Sequence, residues 1–227
     1  MPASKAPRAA SQNNPPFSLV TMNIMIRTAP AVDQLSQLIS EAEKLYPKDG
    51  RRYAGPLALS AKNGDIPAAI LFIGEAPGRL GAGSTGIPFF TRQNEQSANR
   101  FAALMATLGA DCDGENGWRG HGVFVTDVVL RNPVQQGARG LKNRPLTRNE
   151  VKASLELLRR QIALVRPRII VALGKKACRA LSMLFDCEPT IDGCVHEVEG
   201  ESFRLVGWLV PSNRQRPRRW AIGRMPR

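Results

Sequence analysis

The four cysteines of this 227-residue chain, Cys112, Cys178, Cys187 and Cys194, form no CxxC pair. That excludes the dense disulfide framework of a small secreted scaffold and points to a reducing compartment, the cytosol. Cys187, Cys194 and His196 lie close together, but their spacing matches no zinc pattern, and no metal is expected. No apolar run approaches the roughly 20 residues of a membrane-spanning helix, so a membrane partner is not expected. Acid is scarce: 19 Asp+Glu stand against 32 Lys+Arg, a net charge of +13. Such an excess favours polyanionic partners, nucleic acid first. No internal repeat is visible, and the length suits one sizeable α/β domain, with a monomer as the default.

Acid is missing altogether at both ends. Residues 1–32 contain Ser, Asn, Pro, Ala and a few basic residues. They read as a disordered basic tail, or as a translated leader ahead of a start at Met22 or Met25. An organellar transit peptide shares this composition, which leaves the compartment open. From Pro211 onward the chain carries Arg214, Arg216, Arg218, Arg219, Arg224 and Arg227 without one acid. A globular domain over 33–219 and a basic tail over 220–227 are the expected division.

What is present alternates between two periods. Residues 33–45 place Leu35, Leu38, Ile39, Ala42 and Leu45 at helical spacing, and Tyr46-Pro47 ends the run. Residues 69–73 are a short apolar strand, and 74–93 a long glycine-rich loop, more often functional than accidental. A helix over 95–108 carries Phe101, Leu104, Met105 and Leu108 on one face and closes at Gly109. Residues 123–130 are a β-rich strand. Thr147-x-x-Glu150 is a capping box opening a helix to Val165, with Val151, Leu155, Leu158, Ile162 and Val165 as its stripe. A strand over 168–173, a helix over 175–184 and a last strand over 203–210 follow. The alternation predicts an α/β fold: three layers, α/β/α, around a central four-stranded parallel sheet. Right-handed crossovers then put the loops after Ile73, Leu130, Leu173 and Val210 along one edge.

The run Gly74-Glu75-Ala76-Pro77-Gly78 is the most informative feature of the chain. It stops a strand in a tight turn that carries one carboxylate. Gly86-Ile87-Pro88-Phe89-Phe90 then presents an aromatic ring. Open α/β sheets bind ligands at the carboxyl ends of their strands. A plain strand-to-helix turn is the alternative. Gly174-Lys175-Lys176 brings a helix N-terminus and two lysines to the same edge, either as a phosphate contact or as a solvated first turn.

Together these blocks resemble the uracil-DNA glycosylase superfamily, most closely its iron–sulfur branch, family four. GEAPG at 74–78, G-x-P-F at 86–89, VTDVVLRNPV at 125–134, NRPLTRNE at 143–150 and RPRIIVALGKKACRAL at 166–181 follow the family's order. Residues 210–213 stand where the family has its HPS-type loop. Residues 79–85 look more like the cluster-free family five. The resemblance puts two cluster cysteines at Arg131 and Ser154, and no CxxC precedes the first strand, so no iron–sulfur centre and no cofactor are expected.

The resemblance implies hydrolysis of the N-glycosidic bond of a damaged base that is flipped into a pocket, the first step of base excision repair, by a cytoplasmic protein at the bacterial nucleoid. It implies that Glu75 handles water and stabilises the sugar cation, or else caps its own loop. Phe89 stacks on the base, or is core beside Phe90. Gly74, Ala76 and Gly78 frame the base. Pro211, Ser212, Asn213, Arg214 and Arg216 enter the DNA, with Lys175 and Lys176 on phosphate. Two positions depart from the pattern. Asp127 replaces an asparagine that reads uracil, and an ionised aspartate only accepts hydrogen bonds. Three readings follow: a shifted base preference towards bases with an exocyclic amine or an altered purine edge, reading by Asn132 or a backbone group, or loss of catalysis. Asp127 binding turn amides is the plain structural reading. Val210 replaces a histidine that donates to the leaving base, which predicts slow chemistry. The function expected is therefore a DNA glycosylase. The rivals are a weak or inactive DNA-binding protein that keeps the fold and a hydrolase of free nucleosides.

Overall fold

The computed structural model describes residues 19–93, 95–120 and 122–208, with side chains from residue 31. In chain order the elements are α1 (Leu19–Leu45), β1 (Tyr53–Ala54), β2 (Ile70–Gly74), α2 (Ala82–Thr85), α3 (Gln96–Thr107), β3 (Asp111–Asp113), β4 (Gly117–Arg119) and β5 (Val123–Asp127). There follow β6 (Asn132–Gly137), β7 (Gly140–Asn143), α4 (Arg148–Val165), β8 (Ile169–Leu173), α5 (Lys175–Phe185), β9 (Asp192–Glu197) and β10 (Arg204–Trp208).

The central sheet has the order β5-β2-β8-β10-β9. Its first four strands are parallel, as expected from the βα alternation. The sheet has five strands rather than four, because β9 adds antiparallel to β10 at the edge. Apolar patterning does not reveal β9: five of its six residues are exposed, with His196 half-buried. The small hairpins β6–β7 and β3–β4 were equally hidden by polar residues and glycine.

Alternate residues of each central strand enter two cores, as the period of 2 requires. Leu71, Ile73, Phe124, Ile170, Ala172 and Leu205 face α1, α4 and α5. Phe72, Val123, Val125, Val171 and Leu173 face Phe101 and Met105 of α3, together with Ile87 and Trp118. The three layers are thus in place. In α1, Leu35, Leu38 and Ala42 are buried as their spacing predicts, but Leu45 turns outward and Tyr46 takes the inner position.

Helix α1 begins at Leu19, so its backbone runs through residues 19–32, which composition had assigned to a disordered tail. That stretch has no glycine and carries Leu19, Met22, Met25, Ala29 and Ala31, which favour helical turns, although Pro30 and several β-branched residues do not. Residues 1–18 and 209–227 lie outside the described residues. No described helix is long and apolar enough to cross a membrane.

Candidate active site

Because β2, β5 and β8 are parallel and adjacent, their carboxyl ends put Glu75, Asp127 and Gly174 along one edge. β5 ends at Asp127 and not at Leu130. Beyond it, Val128 N donates to Gly74 O at 2.9 Å and Val129 N to Glu75 O at 3.1 Å. These two bonds lock the loop after β5 to the loop after β2, and so fix Glu75 relative to Asp127.

Gly74 is required here by space. A Cβ at this position would collide with Asp127 Oδ1 and would lie 2.7 Å from the Phe89 ring. The glycine lets the carboxyl and the ring close over the end of β2. Phe89 holds a left-handed backbone, φ 55°, which costs a side-chain-bearing residue roughly 1–2 kcal/mol. Trp118 steadies the loop by donating from Nε1 to Pro88 O at 2.7 Å. The twist lays the half-buried Phe89 ring on Phe101, with centroids 4.5 Å apart. Phe90, also half-buried, packs against the same core.

Phe89, Asp127, Ala76, Pro77, Gly78 and Ala98 are among the residues that line a cavity of about 190 Å³. The N–H groups of Ala76 and Gly78 donate to no described residue and are available to a ligand carbonyl. Asp127 is buried, and among the described residues its carboxyl has no hydrogen-bond partner. Burial first, and the Glu75 charge second, push its pKa up to about 7. The reading of Asp127 as a turn-amide acceptor therefore does not describe it.

Glu75, the residue before Ala76, lines a larger groove of about 490 Å³ together with Val128, Leu146, Arg148, Lys176, Arg179 and Met183 among others. Its carboxylate accepts from Lys176 Nζ at 2.6 Å rather than from turn amides. Lys176 is thus the charge partner of Glu75, while Lys175 is exposed at the start of α5. Arg148 and Arg179 were missed. The i, i+3 spacing of Lys176 and Arg179 puts both on one helix face and was the available signal. Asn132 does not line the cavity. It is buried and packs against Gly83 as a clamp on the glycine-rich loop, and with its amide oriented to satisfy its neighbours its oxygen accepts from Arg79 N at 2.9 Å. Val210, Pro211, Ser212, Asn213, Arg214 and Arg216 lie outside the described residues.

A family model described as the Uracil DNA glycosylase superfamily matches residues 61–221. The chain belongs to the uracil-DNA glycosylase superfamily. It is 32% identical to the Type-4 uracil-DNA glycosylase of Archaeoglobus fulgidus over 155 residues, 66% of this chain and 68% of that protein. The Type-4 uracil-DNA glycosylase of Pyrobaculum aerophilum is 28% identical over 67% of this chain and 65% of its own length. The Type-5 uracil-DNA glycosylase of the same organism is 36% identical over 52% of this chain and 50% of its own length.

The iron–sulfur cluster implied by the resemblance to family four does not fit these residues. At the first expected cysteine stands the Arg131 guanidinium, buried and donating to Tyr46 O at 2.6 Å and to Glu43 Oε2 at 2.5 Å. At the second, Ser154 Oγ donates to Glu150 O at 2.6 Å. Cation and hydroxyl occupy positions where thiolates would have to converge. Among the described residues no three His, Cys, Asp or Glu side chains gather to hold a metal.

Proposed function

We propose that this protein is a DNA glycosylase that flips uracil or another deaminated base into the 190 Å³ cavity and hydrolyses its N-glycosidic bond. The observation that carries this reading is the meeting of an aromatic ring, a buried carboxyl and a carboxylate at one strand edge, Phe89, Asp127 and Glu75.

In this reading the base stacks on Phe89, and the free N–H groups of Ala76 and Gly78 take a base carbonyl. The C1′–N bond breaks with its electron pair going to the base, and the sugar becomes an oxocarbenium ion. Water attacks C1′, and Glu75 receives its proton and stabilises the cation. Lys176 holds Glu75 in place. The cationic groove with Arg148 and Arg179 seats the phosphate backbone. The reaction needs no metal or organic cofactor. It leaves an abasic site, and so begins base excision repair. The protein works as a monomer in the cytoplasm of its cell, at the DNA.

Val210 supports a rival reading, a DNA-binding protein that keeps the fold, because valine gives the departing base no hydrogen bond. Labelled oligonucleotides carrying uracil, hypoxanthine, xanthine, a thymine mismatch or cytosine separate the two. Alkaline cleavage at one of these bases supports the enzyme. Tight binding without cleavage of any supports the rival.

A further inference from the structure

We propose that Asp127 works as a neutral carboxylic acid and that this acid pairs with the flipped base, so the base is held below neutral pH and let go above it. The inference rests on the reading of the 190 Å³ cavity as a base pocket and names the group that reads the edge.

Three observations carry it. Asp127 is 2% exposed and lines the cavity, and its carboxyl finds no hydrogen-bond donor among the described residues. Its Oδ1 is pressed against the Gly74 backbone, which leaves the cavity side for a ligand. The charges that reach it from the neighbouring elements give it no cation. Glu75, on the loop after β2, is negative, and Lys176 of α5 is already engaged by Glu75 at 2.6 Å. Glu95, the residue before α3, lines the same cavity and is another acid. β8 brings Leu173, which carries no charge. An ionised carboxylate in this position would lose its hydration with nothing in return. The raised pKa, about 7, agrees with that placement.

Protonation changes what Asp127 recognises. An ionised carboxylate offers two acceptors and matches only an edge with two adjacent donors. A neutral acid offers O–H beside C=O. It donates to a ring carbonyl and accepts from the adjacent ring N–H, which is the edge of uracil and of hypoxanthine. In this form the acid has the donor–acceptor pattern of a primary amide. The base preference therefore need not shift away from uracil, as an ionised aspartate would require. The reversed edge of cytosine is met by the same acid turned over. Discrimination of uracil from cytosine is thus not what the proton supplies.

The test is binding rather than turnover. The full chain is titrated against oligonucleotides with 2′-fluoro-2′-deoxyuridine, which resists hydrolysis, and against the same oligonucleotides with a tetrahydrofuran abasic site. The ratio of the two affinities isolates the base contacts and cancels phosphate binding. With a pKa of about 7 the neutral fraction falls from roughly 90% at pH 6 to roughly 3% at pH 8.5. The preference for the uracil analogue should fall about tenfold or more between those pH values. Asp127→Asn, whose amide does not titrate, should prefer the analogue at both. A wild-type preference that stays level with pH, or the same inflection in Asp127→Asn, overturns the inference and leaves the base pocket standing. No preference in either protein at any pH, with DNA still bound, overturns the base pocket and the inference together.

Discussion

Glu150 and Asp127 are both withdrawn from solvent, 7% and 2% exposed, yet only one of them is partnered. Glu150 accepts from Tyr53 Oη at 2.8 Å, from Arg144 Nη1 at 2.8 Å and Nη2 at 2.5 Å, and from Thr147 N at 2.9 Å. The Arg144 bonds above all hold its carboxyl well below the usual range. Asp127 has no such company, and its carboxyl is pushed up to about 7. A buried charge whose lone pairs are all used ties segments together: here β1, α4 and the loop before it. A buried carboxyl with nothing to bond keeps its hydrogen-bonding capacity for a visitor.

The contrast is broken or sharpened first through stability. A raised carboxyl pKa contributes stability that is full below the ordinary value, 3.8, and lost as pH rises to about 7. Asp127→Asn should therefore be more stable than wild type by about 4 kcal/mol at pH 8, shrinking to about 1 kcal/mol at pH 4.5, by urea titration. An equal gain at both would mean that Asp127 does not titrate on folding.

Glu150 should behave in the opposite sense. Glu150→Ala strands Arg144 and the Tyr53 hydroxyl and should cost about 3 kcal/mol near pH 7. Because the folded pKa is lowered from 4.5, this contribution is present above 4.5 and fades as pH falls below it. The gap between wild type and variant should close in acid. A cost independent of pH would make Glu150 a packing residue rather than an ionic one.

Smaller effects separate the pocket from the groove. Phe89→Ala should weaken binding of an oligonucleotide with a flipped base by about 2 kcal/mol, within the range for one stacked base, and leave abasic DNA unaffected. Arg148→Ala and Arg179→Ala should act alike on every sequence. Each should lower the slope of log affinity against log salt by about 0.9 on duplex DNA.

The sequence made the scaffold legible wherever burial is two-sided or a cap is local. Residues 69–73 and 168–173 read as strands from their apolar runs, and Thr147 with Glu150 forms the capping box that its spacing announces. β9 stayed hidden because an exposed edge strand carries no apolar signature. The loop motifs identified which residues meet at the site, but not their state. Lys176 lies 101 residues from Glu75, and their ion pair exists only because β2 and β8 are neighbours. Asp127 was read as an ionised acceptor, since a sequence does not show that a side chain has lost its water. Asn132, beside the motif, turned out to clamp the loop.

The most direct measurement is single-turnover excision of uracil from a labelled oligonucleotide by wild type and by Glu75→Gln, with DNA binding followed in parallel. Wild type should excise, and the variant should do so at least about a hundredfold more slowly with binding retained. Binding by wild type without excision of uracil or of any other base would contradict the glycosylase reading.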